Sequence, residues 1–326
     1  MASDTHSTAD RPGLGIAFIL LGMVGISIND MLIKHLSGEY PLHQMVFVRS
    51  AIGICFSLML LQLEGGFMIL RTNRIGLHVL RGACIVFANM TFFAALAVIP
   101  LADATALFFV APLFITLLSI PFLGERVGAR RWAAVIVGFL GVIIMLRPGA
   151  EAGDEAPSRL VLLLPILAAF AYACMQILTR SLGVTSKASA MAVYIQAMFI
   201  CVSIVFWAVA GDGRYEGMVE SESLKFLLRA WIWPAPGDVV FFVILGCMST
   251  VIGYSLSQAY RLASPATIAP YEYAALPLSI FWGWVVFAHL PDAWVLSGIV
   301  LIAVAGVYVF VREGKRSPAP RAVRRH

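Results

Sequence analysis

Ten stretches of the chain, 13–33, 42–63, 76–99, 101–123, 132–147, 160–179, 188–210, 239–260, 265–288 and 293–311, are apolar nearly throughout and are bounded by charge, Pro or Gly. A helix needs about 20 such residues to cross the hydrocarbon core of a bilayer. Inside that core every backbone N–H and C=O must be satisfied within a helix or a closed barrel, and uninterrupted runs of this length predict helices. Ten spans of about 20 residues would take up roughly three fifths of the 326 residues and leave short loops. The composition agrees: 60% of the residues are hydrophobic and 13% charged, with a mean hydropathy of +0.90, against about half and a quarter in soluble domains. An ordinary soluble enzyme is excluded. The expected fold is an all-α integral membrane protein of ten transmembrane helices.

Loop charge gives the orientation, because Lys and Arg collect on the cytoplasmic side. One set of alternating loops and tails, running from Arg11 through Arg71, Arg74, Arg126, Arg180 and Arg261 to Arg325, holds fifteen of them. The other set, Lys34, Arg147, Arg159, Arg214, Lys225 and Arg229, holds six. A miscounted span would scramble that asymmetry, so both termini are expected in the cytoplasm and the chain in the cytoplasmic (inner) membrane. Residues 1–12 are polar without a basic n-region, which argues against a cleaved signal peptide and leaves them as a disordered tail. The Arg- and Pro-rich tail 312–326 is expected to be disordered and to anchor the topology, with contact to anionic lipid heads as a second role. The longest loop, 211–238, holds Trp231 and Trp233 beside Pro234; it is either a segment at the headgroup level or a plain extracellular loop. The net charge of +5 sits in these loops and tails and does not form a nucleic-acid patch. Cys55, Cys84, Cys174, Cys201 and Cys247 are odd in number and lie in apolar runs, as packed free thiols would and a disulfide framework would not.

The two halves echo one another. Gly141-Val142, Arg147 and Gly149 recur 165 positions later as Gly306-Val307, Arg312 and Gly314, and Ala104-Thr105 recurs after 162 as Ala266-Thr267. The shared offset, and the common place at the fourth, fifth, ninth and tenth spans, point to a five-plus-five duplication: repeats at 13–150 and 159–311 joined by a linker at 151–158. Five is odd, so the second copy enters the membrane from the opposite side. Inverted repeats of this kind underlie alternating access in many secondary transporters.

The same segments carry a resemblance. Phe92-Phe93-Ala94-Ala95-Leu96, Pro100-Leu101-Ala102-Asp103-Ala104-Thr105-Ala106, Ala111-Pro112-Leu113-Phe114 and Gly124-Glu125-Arg126 resemble the first EamA-type repeat of the drug/metabolite transporter superfamily, as do Gly138-Phe139-Leu140-Gly141-Val142 and Arg147-Pro148-Gly149. The second half is similar more loosely, through Pro265-Ala266-Thr267 and Gly306-Val307, and has Ala288-His289 where the first has Gly124-Glu125. The resemblance covers nearly the whole chain. It implies a ten-helix carrier working without ATP, in a family whose cargoes range over amino acids, vitamins and other metabolites.

Ionisable residues in hydrocarbon are costly and normally face the bundle interior or a wet cavity. Arg49 lies about 10 Å into the second span, and Glu272 about as deep into the ninth from the other side. They either pair or serve cargo directly, and a buried Glu272 could carry a proton, since burial disfavours its charged form. Arg81 is expected to snorkel to the near interface. Asp30 and Lys34, spaced i, i+4 near the outer end of the first span, could form only a weak exposed pair and are expected to line the outer mouth or anchor that helix rather than bind cargo. Tyr172 and Gln176 in the sixth span and Tyr254 and Gln258 in the eighth share that spacing. Asn29, Asn89, Tyr194, Gln196 and Tyr271 complete the candidate cavity set. Any one of these could instead be interhelical glue, worth about 0.6 kcal/mol; their recurrence on several helices favours a shared chamber. Pro112 in the fourth span and Pro270 and Pro277 in the ninth interrupt corresponding helices, a pointer to a transporter's central site, with a simple bend as the alternative. Ser249, Gly253 and Ser257 form a small-residue stripe suited to close helix approach. Phe87, Phe92, Phe93, Phe108, Phe109, Tyr271, Tyr273, Trp282 and Trp284 supply rings for stacking on a flat cargo, more than half of which are expected to face lipid.

There is no phosphate-binding G-x-x-x-x-G-K-[ST] loop and no H-E-x-x-H pair, and the six histidines are scattered. Neither a cofactor nor a metal is expected. An intramembrane enzyme would need a nucleophile–base set or an acid pair in a pocket, which Arg49 and Glu272 alone do not supply. A channel would need a filter of carbonyls or charge rings. The expected function is non-enzymatic: secondary transport of a small organic metabolite by alternating access, with a lean toward a planar aromatic cargo such as riboflavin or an aromatic amino acid. Export of amino acids or related metabolites is the alternative. The expected partners are the small-molecule cargo and the lipid bilayer, not nucleic acid, with the chain a monomer or a homodimer.

Overall fold

A computed structural model describes residues 11–72, 74–124, 128–146, 159–182, 188–263 and 268–314. The expected linker 151–158, the motif residues Glu125-Arg126, Arg147-Pro148-Gly149 and Pro265-Ala266-Thr267, and the tails 1–10 and 315–326 lie outside the described residues. Among those described all regular structure is helical. The helices are α1 (Pro12–Leu36), α2 (Leu42–Glu64), α3 (Ile75–Leu96), α4 (Leu101–Phe108), α5 (Ala111–Leu123), α6 (Ala129–Leu146), α7 (Arg159–Leu182), α8 (Ala188–Ala210), α9 (Glu222–Leu228), α10 (Val239–Leu262), α11 (Ala275–Phe287) and α12 (Ala293–Gly314). Seven helical stretches, with α4 and α5 counted together, are long and apolar enough to cross a membrane; Trp132–Leu146 in α6 and Ala293–Tyr308 in α12 are shorter. The chain is an all-α, multi-pass membrane protein.

Two expected spans are broken helices. Pro112 lacks an N–H, and its ring would meet the carbonyl four residues back, at Phe108. Helix α4 accordingly ends at Phe108 and α5 restarts at Ala111, with Pro112 in its first turn, where the missing donor is no loss. In the second half the 3-10 segment Ala269–Ala274, with Pro270 in its first turn, runs into α11, and Pro277 sits in the first turn of α11. None of the three prolines bends a continuous α-helix. Both broken spans end on a left-handed residue, Gly124 at φ 67° and Ala288 at φ 51°.

The halves interdigitate rather than forming separate bundles. Helix α1 lies along α10 and α11, α2 along α8 and α10, α3 along α7 and α8, α5 along α7, and α6 along α12. Exchanging first-half spans for their second-half counterparts maps this pattern onto itself: α1–α10 becomes α3–α7, α2–α10 becomes α3–α8, and α1–α11 becomes α5–α7. The close approach of α1 to α10 depends on glycines of α1. A methyl built on Gly22 would overlap Leu256, and one on Gly15 would stand 2.8 Å from the Ala263 Cβ. The small-residue stripe expected on α10 does not serve that contact: Gly253 has nothing within 4 Å of its added Cβ, and Ser249 turns inward. At α6–α12 the backbones nearly touch, since a Cβ on Gly141 would lie 2.9 Å from the Gly298 carbonyl oxygen.

Residues 211–238 form a folded strap that carries its own short helix, α9. Tyr40 is buried between α1 and α2; its hydroxyl donates to Asp238 Oδ2 at 2.7 Å and accepts from the Ala235 N–H at 3.0 Å. Burial pushes the Tyr40 phenol above its ordinary range, which keeps it a donor. Gln44 Nε2 donates to the Ile232 carbonyl at 2.6 Å, Arg229 donates to the Ser37 and Gly38 carbonyls, and His43 stacks between Phe206 and Trp231. Trp231 is thus packed inside, whereas Trp233 is 95% exposed. At the opposite end the shorter 65–74 connection is tied to α8: Tyr194 donates its hydroxyl to the Leu70 carbonyl and stacks on His78, and Ser189 donates to Glu64 at 2.6 Å.

Apolar side chains such as Leu20, Leu21, Val24, Leu63, Val205, Trp284 and Val304 are exposed on the helix surfaces, as a lipid-facing belt requires. The cysteines are free; Cys55, Cys201 and Cys247 are exposed rather than packed.

Candidate functional site

A cavity of about 770 Å³ opens between the halves, within the size range of small-molecule pockets. It is lined by α1, α2, α3, α4 and α5 from the first half and by α7, α8, α10, the 269–274 segment and α11 from the second. Among the described residues α6 and α12 contribute nothing to the lining; they pack on each other at the periphery.

One polar group lies toward the end where α1 meets α2. Arg49, 8% exposed, reaches from α2 with NH1 donating to Asn29 Oδ1 and NH2 to Asn89 Oδ1, both at 3.3 Å, and its guanidinium lies 5.4 Å from the centre of the Phe199 ring. Asn29 in turn donates through Nδ2 to Asp30 Oδ1 at 3.0 Å. Asp30 lines the cavity, and its charge acts on Arg49. Of the two alternatives for Arg49 and Glu272, direct pairing is set aside, since the acid beside Arg49 is Asp30. Asp30 and Lys34, though spaced i, i+4, do not bond each other. The ammonium of Lys34 instead donates to the carbonyls of Leu96 and Ile99 at 2.7 and 2.8 Å. Leu96 is the last residue of α3 and Ile99 lies in the turn before α4; carbonyls there lack helical partners and are open to the ammonium, on which the Asp103 charge also acts.

A second polar group lies toward the end where α2 meets α3. Tyr172, Gln176 and Thr179 line the cavity from successive turns of α7, as their spacing requires, and Gln176 Nε2 donates to the Tyr172 hydroxyl at 2.7 Å. Glu272 also lines it, and its charge acts on Tyr172 and Tyr273. Arg81 does not snorkel to lipid. It is buried, with Nε donating to Thr179 Oγ1 at 2.6 Å and NH1 to the Met191 carbonyl at 3.5 Å, because the wet interior offers acceptors that the lipid side does not.

Between these groups the wall is aromatic and aliphatic. Phe92, Phe93, Phe108 and Phe109 line it, with Phe108 5.3 Å from Phe92 and 5.4 Å from Tyr172, centre to centre. The break after α4 puts Phe108 and Phe109 at the cavity surface. Phe87, Tyr271 and Trp284 are exposed on the outside, and Trp282 Nε1 donates to Ser27 on α1 at 3.2 Å.

Of the sequence candidates, Asn29, Arg49, Asn89, Tyr172, Gln176 and Glu272 come together around the cavity, as does Pro112. Tyr194, Gln196, Tyr254, Gln258 and Tyr271 are not among the described residues that line it. Tyr194 holds the 65–74 connection, and Gln196 donates to Ser249 on α10 at 3.4 Å. Tyr254 and Tyr271 are exposed, Tyr254 against Phe18. Sequence reasoning left Asp30 at the outer mouth, read Ser249 only as packing and passed over Thr105, Thr116, Thr179 and Ser279 as cavity residues, all six being in the lining. Asp30 carried a usable signal, since it neighbours Asn29 on α1. Hydroxyls carry little, because Thr105, Thr116 and Ser279 also bond carbonyls of their own helix, a local option open to Ser and Thr wherever they sit.

Residues 13–147 match the EamA-like transporter family, and the S-adenosylmethionine uptake transporter of Rickettsia bellii is 29% identical to this chain over 93% of it and 95% of its own length. The first part of the chain thus matches the EamA-like family, and nearly its whole length is similar to transporters of the drug/metabolite type. These likenesses make it a membrane transporter of small molecules, not an enzyme. The riboflavin transporter of Vibrio cholerae is 27% identical over 97% of this chain and 99% of its own. A crystal structure at 19% identity superposes with a TM-score of 0.61, covering 93% of this chain and 98% of that one; it bears on the fold alone.

Proposed function

We propose that this chain is a secondary transporter that carries a small, planar-ringed metabolite across the cytoplasmic (inner) membrane by alternating access. Its ten spans form two inverted five-helix repeats, 13–150 and 159–311, joined by 151–158, with both tails cytoplasmic. The α1–α2 end then faces outward and the α2–α3 end the cytoplasm. The observation that carries the reading is the cavity between the halves, polar toward each end and ring-walled in the middle. The exchange symmetry of the helix pairing supports inversion, because two interleaved copies can swap conformations and so move the opening from one face to the other. Breaks at Phe109-Val110 and around Ala274 are the natural hinges, with Pro112, Pro270 and Pro277 preventing their repair.

In this reading the cargo's ring lies among Phe92, Phe108, Phe109 and Tyr172, while Arg49, Asn29 and Asn89 hold one polar end and Gln176 and Glu272 the other. Tyr194, Gln196, Tyr254, Gln258 and Tyr271 support helices rather than cargo. Glu272 carries a coupling proton. Riboflavin and S-adenosylmethionine, the cargoes named for the two relatives, both present a flat heteroaromatic system suited to offset stacking. Uptake and export use the same cavity, the direction following the gradient and the state that binds better. A competition and counterflow panel in proteoliposomes tests the reading with riboflavin, S-adenosylmethionine and aromatic amino acids. Saturable uptake of a ring-bearing compound, stimulated by the same compound inside, is expected; uptake that neither saturates nor shows counterflow would overturn it.

A further inference from the structure

Arg49 is held in an unusual way for a buried guanidinium. Among the described residues both of its hydrogen bonds go to neutral amide oxygens, and both are 3.3 Å long, whereas charge-assisted bonds to a carboxylate run about 2.7–2.9 Å. A guanidinium carries five donors in a fork that fits a carboxylate two-pronged. Among the described residues no carboxylate occupies that fork. Asp30 is the acid beside it, but the Asn29 side chain stands between the two, accepting from Arg49 and donating to Asp30. The cavity wall therefore displays a cation and an anion about one amide group apart, neither neutralising the other by direct contact. The ammonium and carboxylate of an α-amino acid are spaced in a similar way.

We propose that Arg49 and Asp30 read a zwitterionic amino-acid head on the cargo. The guanidinium takes the cargo carboxylate in place of its two long amide bonds, and the Asp30 carboxylate takes the cargo ammonium. Asn29 fixes the spacing, Asn89 keeps the guanidinium turned to the cavity, and Phe199 lies against it. A neutral ring compound would desolvate both charges without satisfying either, an expensive outcome in a site with apolar walls. This inference rests on the planar-ring reading above and narrows it: within that class, cargoes with an amino-acid head bind through this pair.

The test is ligand competition on the full-length purified protein in lipid nanodiscs, with S-adenosylmethionine, its decarboxylated analogue and riboflavin as probes. For the wild type the decarboxylated analogue is expected to bind at least about 10-fold more weakly than its parent, in line with the loss of one charge-assisted pair. Arg49→Gln is expected to weaken the parent to the level of the analogue, so that the difference between them vanishes. Asp30→Asn is expected to weaken both alike, because both keep the ammonium. Equal affinities of parent and analogue for the wild type would overturn the proposal without recourse to any variant. Riboflavin binding with no binding of S-adenosylmethionine would overturn it while sparing the planar-ring reading, and failure of all three probes together with the aromatic amino acids would remove both. If Arg49→Gln does not fold, Arg49→Lys, which keeps the charge and loses the fork, is expected to retain part of the discrimination; full discrimination there would overturn the two-pronged contact.

Discussion

The two ends of the molecule are built on equivalent positions and closed very differently. In the exchange of halves that preserves the helix pairing, the 65–74 connection between α2 and α3 corresponds to the 211–238 connection between α8 and α10. Each lies over the start of the helix opposite, α8 in one case and α2 in the other. The first is fastened by Tyr194 to the Leu70 carbonyl, with Ser189 and Glu64 alongside. The second has its own helix, α9, and is fastened through Tyr40, Gln44, His43 and Arg229. The helix pairing is alike under this exchange while the two straps differ, and among the described residues the α1–α2 end is closed by more bonds than the other. The cavity shows the same inequality, with Arg49 and Asp30 toward the heavily strapped end and Glu272 toward the lightly strapped one.

The largest effect is expected at the lightly strapped end. Glu272→Gln removes the proposed proton carrier and is expected to abolish the pH dependence of transport while expression stays intact. Proteoliposome uptake across a pH gradient checks this; an unchanged pH profile would take the coupling role from Glu272. Next in size is Tyr40→Phe, which deletes two hydrogen bonds of the larger strap and keeps the ring. At about 1 kcal/mol per bond, the expected destabilisation is about 2 kcal/mol, read as a fall in the thermal midpoint in detergent. Tyr194→Phe removes a single bond and is expected to cost about 1 kcal/mol by the same principle. A larger fall for Tyr194→Phe than for Tyr40→Phe would invert the comparison between straps. The smallest effect concerns the ends of the broken spans. Ala288 adopts the left-handed backbone that Gly124 adopts without strain, so Ala288→Gly is expected to stabilise and Gly124→Ala to destabilise, each by about 1 kcal/mol or less. Equal signs would break the equivalence of α5 and α11.

The helical class was legible in the apolar runs, because bilayer thickness dictates their length and nothing distant in the chain alters that. The six candidates that reached the cavity were legible for a related reason: a polar side chain deep in a span has nowhere else to go. Tyr194, Tyr254 and Tyr271 misled because a tyrosine is also content at a helix end or on an amphipathic outer face. Arg81 and Lys34 misled because the sequence gives their depth but not the acceptors around them, which come from Thr179, Met191, Leu96 and Ile99 on other turns of chain. Of the small-residue stripe, Ser249 meets α2, an added Cβ on Gly53 standing 3.1 Å from its hydroxyl, whereas Gly253 has the right spacing and nothing within 4 Å, α1 approaching through its own glycines. The strap at 211–238 was beyond reach, since its fold depends on Tyr40 and Gln44, far away in sequence.

Labelling of a single cysteine in the cavity wall tests the central claim most directly. With the native cysteines replaced, Ser249→Cys, which lines the cavity from α10, is exposed to a membrane-impermeant thiol reagent from either face of the membrane. The account predicts reaction from both faces, slowed by cargo. Reaction from one face only, whatever the gradient or cargo, would contradict a cavity that opens alternately to the two sides.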